Sequence, residues 1–94
     1  MSILGTFTKQ PADEWDYDID YSEWLTTGDN VQNAFVTVEP PTSLVVDAVF
    51  VNDPRVKIWV SGGTHGITYK LTVNMHSADG RIRQDEFKLR VKEV

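Results

Sequence analysis

Apolar and polar positions alternate with a period of two along most of the chain, most clearly from Arg55 to Val91. Ile67, Tyr69, Leu71, Val73 and Met75 alternate with Thr68, Lys70, Thr72 and Asn74. Successive side chains of a strand point to opposite faces, so this spacing packs one face and wets the other. Ser77-Ala78-Asp79-Gly80 supplies turn residues, and the returning segment sets Phe87, Leu89 and Val91 inward against Lys88, Arg90 and Lys92 outward. At about 3.3 Å per residue each arm of this hairpin reaches roughly 35 Å, enough to span a small domain.

The same period predicts further strands upstream. Trp15, Tyr17, Ile19 and Tyr21 fall on one face and Asp16, Asp18 and Asp20 on the other, followed by one short helical or 3₁₀ turn over Tyr21–Leu25 and a loop over Thr26–Asn30. Val31–Val38 sets Ala34, Val36 and Val38 on one face and ends at Pro40-Pro41; Leu44–Val51 is apolar apart from Asp47 and ends at Asn52-Asp53-Pro54. Arg55–Ser61 alternates Val56, Ile58 and Val60 with Arg55, Lys57 and Trp59. Short strands at near-regular intervals, with no 3.6-residue pattern, predict an all-β, immunoglobulin-like antiparallel sandwich of about seven strands. Residues 15–94 are assigned to that sandwich and residues 1–14 to an N-terminal arm, in which Ile3, Leu4 and Phe7 either dock on a partner or pair as an edge strand. Pro11 marks a hinge because it cannot donate to a ladder.

Ninety-four residues suffice for one modest core. With no cysteine, neither a disulfide nor a thiolate metal site supports the fold, a composition that suits folding in the cytosol. The opening MSILGTFTKQ lacks the basic and long apolar regions of a signal peptide, and no run approaches the roughly 18 apolar residues of a membrane span. Charge is divided unevenly: residues 1–54 hold one base against ten acids, residues 55–94 eight bases against four acids. Two arrangements accommodate this. Acidic and basic strands neighbour one another and neutralise, or the two signs occupy different surfaces and guide heterologous assembly. A net charge of −5 does not provide the basic footprint of a nucleic-acid binder.

Chemical motifs are sparse. Asp16-Tyr17-Asp18-Ile19-Asp20 opens like an EF-hand calcium loop, but Tyr21 stands where glycine is needed and Thr27 where a bidentate glutamate is needed. The acids instead suit a solvated strand face, an acidic docking face, or a non-EF cation site built on two of them. Gly62-Gly63-Thr64-His65-Gly66 has no Walker lysine and precedes a strand rather than a helix, so it reads as a connecting loop. His65 and His76 are eleven residues apart in no metal-binding pattern; His65 is an exposed contact candidate, and His76 lies on the outward, solvated register. No nucleophile elbow appears, and Asp85 and Glu86 point to opposite sides of a strand, so no catalytic residue or cofactor is assigned.

Aromatic residues carry the remaining signal. Trp59 falls opposite Val56, Ile58 and Val60, and Phe35 falls beside Ala34, Val36 and Val38, so both lie off the core register. Aromatics so placed suggest a protein interface. The contact candidates are therefore Ile3, Leu4, Phe7, Phe35, Trp59 and His65. The competing use of such rings is a sugar-stacking platform built on Trp15, Trp24 or Trp59, as in a carbohydrate-binding or adhesive module.

Three stretches in this order, Asp16-Tyr17-Asp18-Ile19-Asp20-Tyr21-Ser22-Glu23-Trp24-Leu25, then Val56-Lys57-Ile58-Trp59-Val60-Ser61-Gly62-Gly63-Thr64 with Gly66 and Tyr69, then Ser77-Ala78-Asp79-Gly80-Arg81, resemble the small fiber-tail adaptor proteins of tailed bacteriophages. The resemblance covers about Trp15 to Lys92. It implies an immunoglobulin-like sandwich and a non-enzymatic virion role connecting tail fibers to the tail or baseplate. It also implies partners among tail and fiber proteins, a homo-oligomer in the assembled virion, and a location in the virion tail after assembly in the host cytoplasm. A neck or capsid-surface sandwich subunit is the neighbouring alternative. The family brings no catalytic residues, and residues 1–14 lie outside the matching part.

Overall fold

A computed structural model describes residues 2–93, the first three of them through their backbone alone. Seven strands follow in chain order: β1 (Ser2–Lys9), β2 (Trp15–Asp20), β3 (Val31–Glu39), β4 (Leu44–Asn52), β5 (Arg55–Gly62), β6 (Thr68–Ser77) and β7 (Ile82–Val91). They form a four-stranded sheet of order β1-β7-β6-β3 and a three-stranded sheet of order β2-β5-β4. All pairings are antiparallel except β1 with β7, which is parallel. Setting β3, β6 and β7 against β2, β5 and β4 reproduces the two-sheet partition of immunoglobulin-like sandwiches. Of the two fates expected for the N-terminal segment, Ser2–Lys9 adopts the edge strand. Among the described residues no helix is long and apolar enough to cross a membrane.

The core lies where the alternation predicts it. Val56, Ile58 and Val60 from β5, Tyr69, Leu71, Val73 and Met75 from β6, and Phe87, Leu89 and Val91 from β7 are buried between the sheets. Ile19, Tyr21, Val31 and Leu44 complete this layer. Fully burying one such side chain contributes roughly 1.5–3 kcal/mol.

Two strands keep their apolar face inward only because each contains an irregularity. In β3 the register jumps between Val31 and Asn33, so Val31 and Ala34 both face the core although three residues apart. In β4 the jump lies between Val46 and Ala48, which places Asp47 in the bulge and returns Val49 to the inward side. An extra residue re-phases a period of two. Asp47, the one polar interruption of that apolar run, is the residue that the ladder register skips.

Both ends of the sandwich are tied by polar contacts. At one end the Tyr69 hydroxyl meets the Thr64 N–H (3.0 Å), Thr42 Oγ1 (2.9 Å) and Ser43 Oγ (3.4 Å), joining the β3–β4 connection to the β5–β6 loop. A tyrosine near the start of this strand, bonded to backbone a few residues upstream, is the tyrosine corner of immunoglobulin-like domains. Beside it the buried Lys9 ammonium donates to the carbonyls of Gln10 (2.7 Å) and Gly62 (2.6 Å), fastening edge strand β1 to the opposite sheet. At the other end Asp29 accepts the N–H groups of Asn30 and Asp79 and pairs with Arg81 at 3.2 Å, while Asp53 accepts the Val31 N–H at 2.8 Å.

Gly62 has φ +74°, and a Cβ there would lie 2.6 Å from the Ser43 carbonyl oxygen, whereas Gly66 at φ +88° has open space around it. Gly66→Ala should therefore cost only the left-handed strain of about 1–2 kcal/mol in urea unfolding. Gly62→Ala should cost clearly more, because backbone must move as well. Lys9→Met, which leaves the Gly62 and Gln10 carbonyls without their donor, should lose roughly 1–3 kcal/mol in the same assay.

Candidate interaction surfaces

Three surfaces carry apolar groups that the core does not use. The outer face of β2-β5-β4, termed the front, is built from cross-strand rows that place Asp16, Trp59 and Ala48 side by side, and likewise Asp18, Lys57 and Phe50. Phe50 is 57% exposed, Val45 and Trp59 are also exposed, and together they form an apolar strip along β4 and β5. Acids border the strip. Asp16 pairs with Lys57 at 3.6 Å and Asp20 with Arg55 at 3.7 Å, and among the described residues Asp18 and Asp47 have no ion pair.

The outer face of β1-β7-β6-β3, the back, divides into two parts. Near the β6–β7 turn Phe35 (56% exposed) meets the His76 ring edge-on, with centroids 5.2 Å apart. Ile82 (62% exposed) lies directly opposite His76 in the ladder. Toward the other end Lys88 lies opposite Lys70 and Thr6, and Arg90 opposite Thr68 and Thr8. Lys70 is held by Glu39 at 3.4 Å and approaches Glu86 at 3.8 Å. Lys88, Arg90 and Lys92 are exposed and have no ion pair among the described residues.

The third surface is the seam between edge strands β1 and β2. Phe7, Tyr17 and Phe87 close it with centroid separations of 5.2, 5.9 and 5.5 Å. Outside this triad lies a groove of about 450 Å³ lined by Phe7, Trp15, Tyr17, Ile19 and Phe87, with Asp16, Asp18 and Asp20 along it. Trp15 is 60% exposed there.

The expected contact residues are thus dispersed. Phe7 lies in the seam, Phe35 on the back, Trp59 on the front, and His65 in the β5–β6 loop, where its Nδ1 accepts the Glu93 N–H at 2.8 Å. Ile3 and Leu4 lie in β1, and their side chains fall outside the described residues. His76, expected to be solvated, is half-buried against Phe35 because cross-strand neighbours on an outer face still touch. The three indoles do not share one platform: Trp59 is on the front, Trp15 in the seam, and Trp24 beneath the Arg83 guanidinium at 4.9 Å from its ring. Among the described residues no group of three His, Cys, Asp or Glu side chains could hold a metal ion. Sequence reasoning missed Phe50, Val45 and Ile82. The first two were hidden in an apolar run whose bulge reverses the phase after Asp47.

Three tyrosines mark three environments. Burial pushes the Tyr21 phenol up to about 12, helped by the neighbouring Asp85 carboxylate. Burial also pushes Tyr17 up, with Asp13 and Asp16 adding to it. At Tyr69 burial acts in the same direction but is outweighed by the Ser43 and Thr42 hydroxyls and the Thr64 N–H, which bring it down to about 8.

A protein-family model described as Podophage GP4 fiber-tail adaptor protein gp77 matches residues 9–90. No curated protein matches the chain.

Phenolate absorbance should show one tyrosine ionising near pH 8, and Tyr69→Phe should remove that step. A folded pKa below the unfolded value of 10 adds stability that is complete above pH 10 and is lost as pH falls through about 8. Tyr21, raised above 10, has the opposite sign and loses stability between pH 10 and about 12. The stability difference between wild type and Tyr69→Phe should therefore grow from pH 8 to 10.

Proposed function

The chain belongs to the podophage GP4 fiber-tail adaptor family gp77, and from that premise we propose that it connects tail fibers to the phage tail or baseplate by protein–protein contact, without chemistry of its own. Membership gives a virion structural role. The finer reading rests on one observation: exposed apolar groups occupy opposite faces of a thin sandwich, Val45, Phe50 and Trp59 on the front and Phe35 and Ile82 on the back. A connector has to hold two different partners at once, and opposite faces let both bind without competing. A 44 × 21 × 20 Å body stapled at both ends transmits force as a rigid spacer. Several copies around a tail would add avidity, so each contact can be modest.

In this reading Phe7, Phe35, Trp59 and His65 are contact residues, with Phe50 and Ile82 added by the geometry. Ile3 and Leu4 contribute through β1, one of the two edge strands of its sheet. The protein works in the virion tail after assembly in the host cytoplasm, and neither nucleic acid nor membrane is a partner.

Size-exclusion chromatography with light scattering, on mixtures with purified tail and fiber proteins of the same phage, tests this directly. A ternary complex is expected, with Phe50→Ser and Phe35→Ser each weakening a different partner by about tenfold or more. Binding of neither component, together with retention on host polysaccharide that Trp59→Ala abolishes, would replace the adaptor with an adhesive module.

A further inference from the structure

The two sheets end in four edge strands, and three of these are irregular. β1 shifts register between Ile3 and Thr6, β3 between Val31 and Asn33, and β4 between Val46 and Ala48. Breaks of this kind keep an edge from accepting a foreign strand. β2 has none: its six residues pair with β5 in unbroken register from Trp15↔Val60 to Asp20↔Arg55. Among the described residues no strand pairs with its other side. The Tyr21 N–H donates to the Pro54 carbonyl at 3.0 Å in continuation of that register, so Tyr17 and Ile19 exchange bonds with β5. The alternation of an antiparallel ladder then turns the N–H and C=O groups of Asp16 and Asp18 toward the open side.

Side chains along this edge are equally unmatched. Trp15 has the phase of Tyr17 and Ile19, which pack on the core, and it lies opposite the buried Val60, yet it is exposed. The groove of about 450 Å³ runs beside all six residues of β2, and Phe7 and Phe87 of the other sheet form its far wall. A hollow of about 350 Å³ continues it past Lys9 and Asp13. Asp16, Asp18 and Asp20 stand on the front side of the same edge, and Asp18 has no ion pair among the described residues.

We propose that β2 accepts an added strand: an extended segment, lysine or arginine alternating with apolar residues, supplied by the protein that covers the front. Strand addition satisfies the outward-facing N–H and C=O groups of β2, and the period of two sorts the incoming side chains. Those on the inner side enter the groove against Trp15, Tyr17 and Phe7. Those on the front side stand beside Asp16, Asp18 and Asp20, at cross-strand distances where opposite charges attract and like charges repel. Charge selects the occupant. A basic segment is favoured, whereas β2 of a second copy would set aspartate against aspartate. The identity of the partner rests on the adaptor role proposed above; the chemistry of its segment is read from the edge itself.

Backbone NMR of the whole chain, titrated to about 1 mM with a short synthetic peptide alternating lysine and valine, provides the test. Amide exchange should slow at Asp16 and Asp18 and the Trp15 indole resonance should shift, while Phe35 on the back stays unchanged. Asp18→Lys should weaken binding about tenfold or more, with a dispersed spectrum showing that the variant is folded. A peptide methylated on the backbone nitrogens that face β2 keeps its charge and side chains but cannot form the ladder, and should not bind. Failure of the alternating peptide to bind, equal binding of a scrambled peptide of the same composition, or binding of the methylated peptide would each overturn the proposal. A tail–fiber ternary complex that forms equally well with Asp18→Lys would overturn the edge site and leave the adaptor role standing. Peptide binding at β2 without any ternary complex would do the reverse.

Discussion

The dry layer formed by β5, β6 and β7 is what every other feature of the molecule depends on. Val56, Ile58, Val60, Tyr69, Leu71, Val73, Met75, Leu89 and Val91 are wholly buried, and no disulfide backs them up. Because strand side chains alternate strictly, committing these residues to the interior commits their neighbours to the outside. The outward row of β7 follows directly: once Phe87, Leu89 and Val91 pack inward, Lys88, Arg90 and Lys92 face solvent. Trp59 is outside for the same reason, between two core valine and isoleucine positions it cannot join. The interaction surfaces are the complement of the core.

A sandwich held only by side-chain packing is weakest at its open ends and edges, and there the polar residues are concentrated. Tyr69 ties one corner through three hydrogen bonds, Lys9 draws β1 onto Gly62, and Asp29 with Asp53 fixes the opposite loops. The Asp85 carboxylate, buried beside Phe87, is met by Arg83 at 3.0 Å, which in turn lies over Trp24. These contacts add order more than net stability, since burying charge offsets much of what pairing returns. In the proposed adaptor role, a body with its loops fastened is the useful property.

Much of this was legible in the residues. The strands from Val31 onward, the inward sets of all but Leu44–Asn52, and the exposure of Phe35 and Trp59 follow from alternation alone. The bulges did not, because one extra residue changes phase without changing composition: Asp47 reads as a flaw in an apolar strand until Val46 and Ala48 are seen to be consecutive in the ladder. Parallel pairing of β1 with β7 is a contact between chain ends with no local signature. Lys9 reads as an ordinary surface lysine, and its burial depends on where Gly62 arrives. The surfaces were legible as single residues and not as patches, since Phe50, Lys57 and Asp18 become neighbours only through register.

The central claim is that this sandwich works through its two outer faces. A cryo-EM reconstruction of the assembled tail, at a resolution that traces strands, measures it most directly. The account predicts density for the sandwich between tail and fiber, with both the β2-β5-β4 face and the β7-β6-β3 face covered by protein. A sandwich found in the tail with either broad face open to solvent, and held only by loops or by β1, would contradict it.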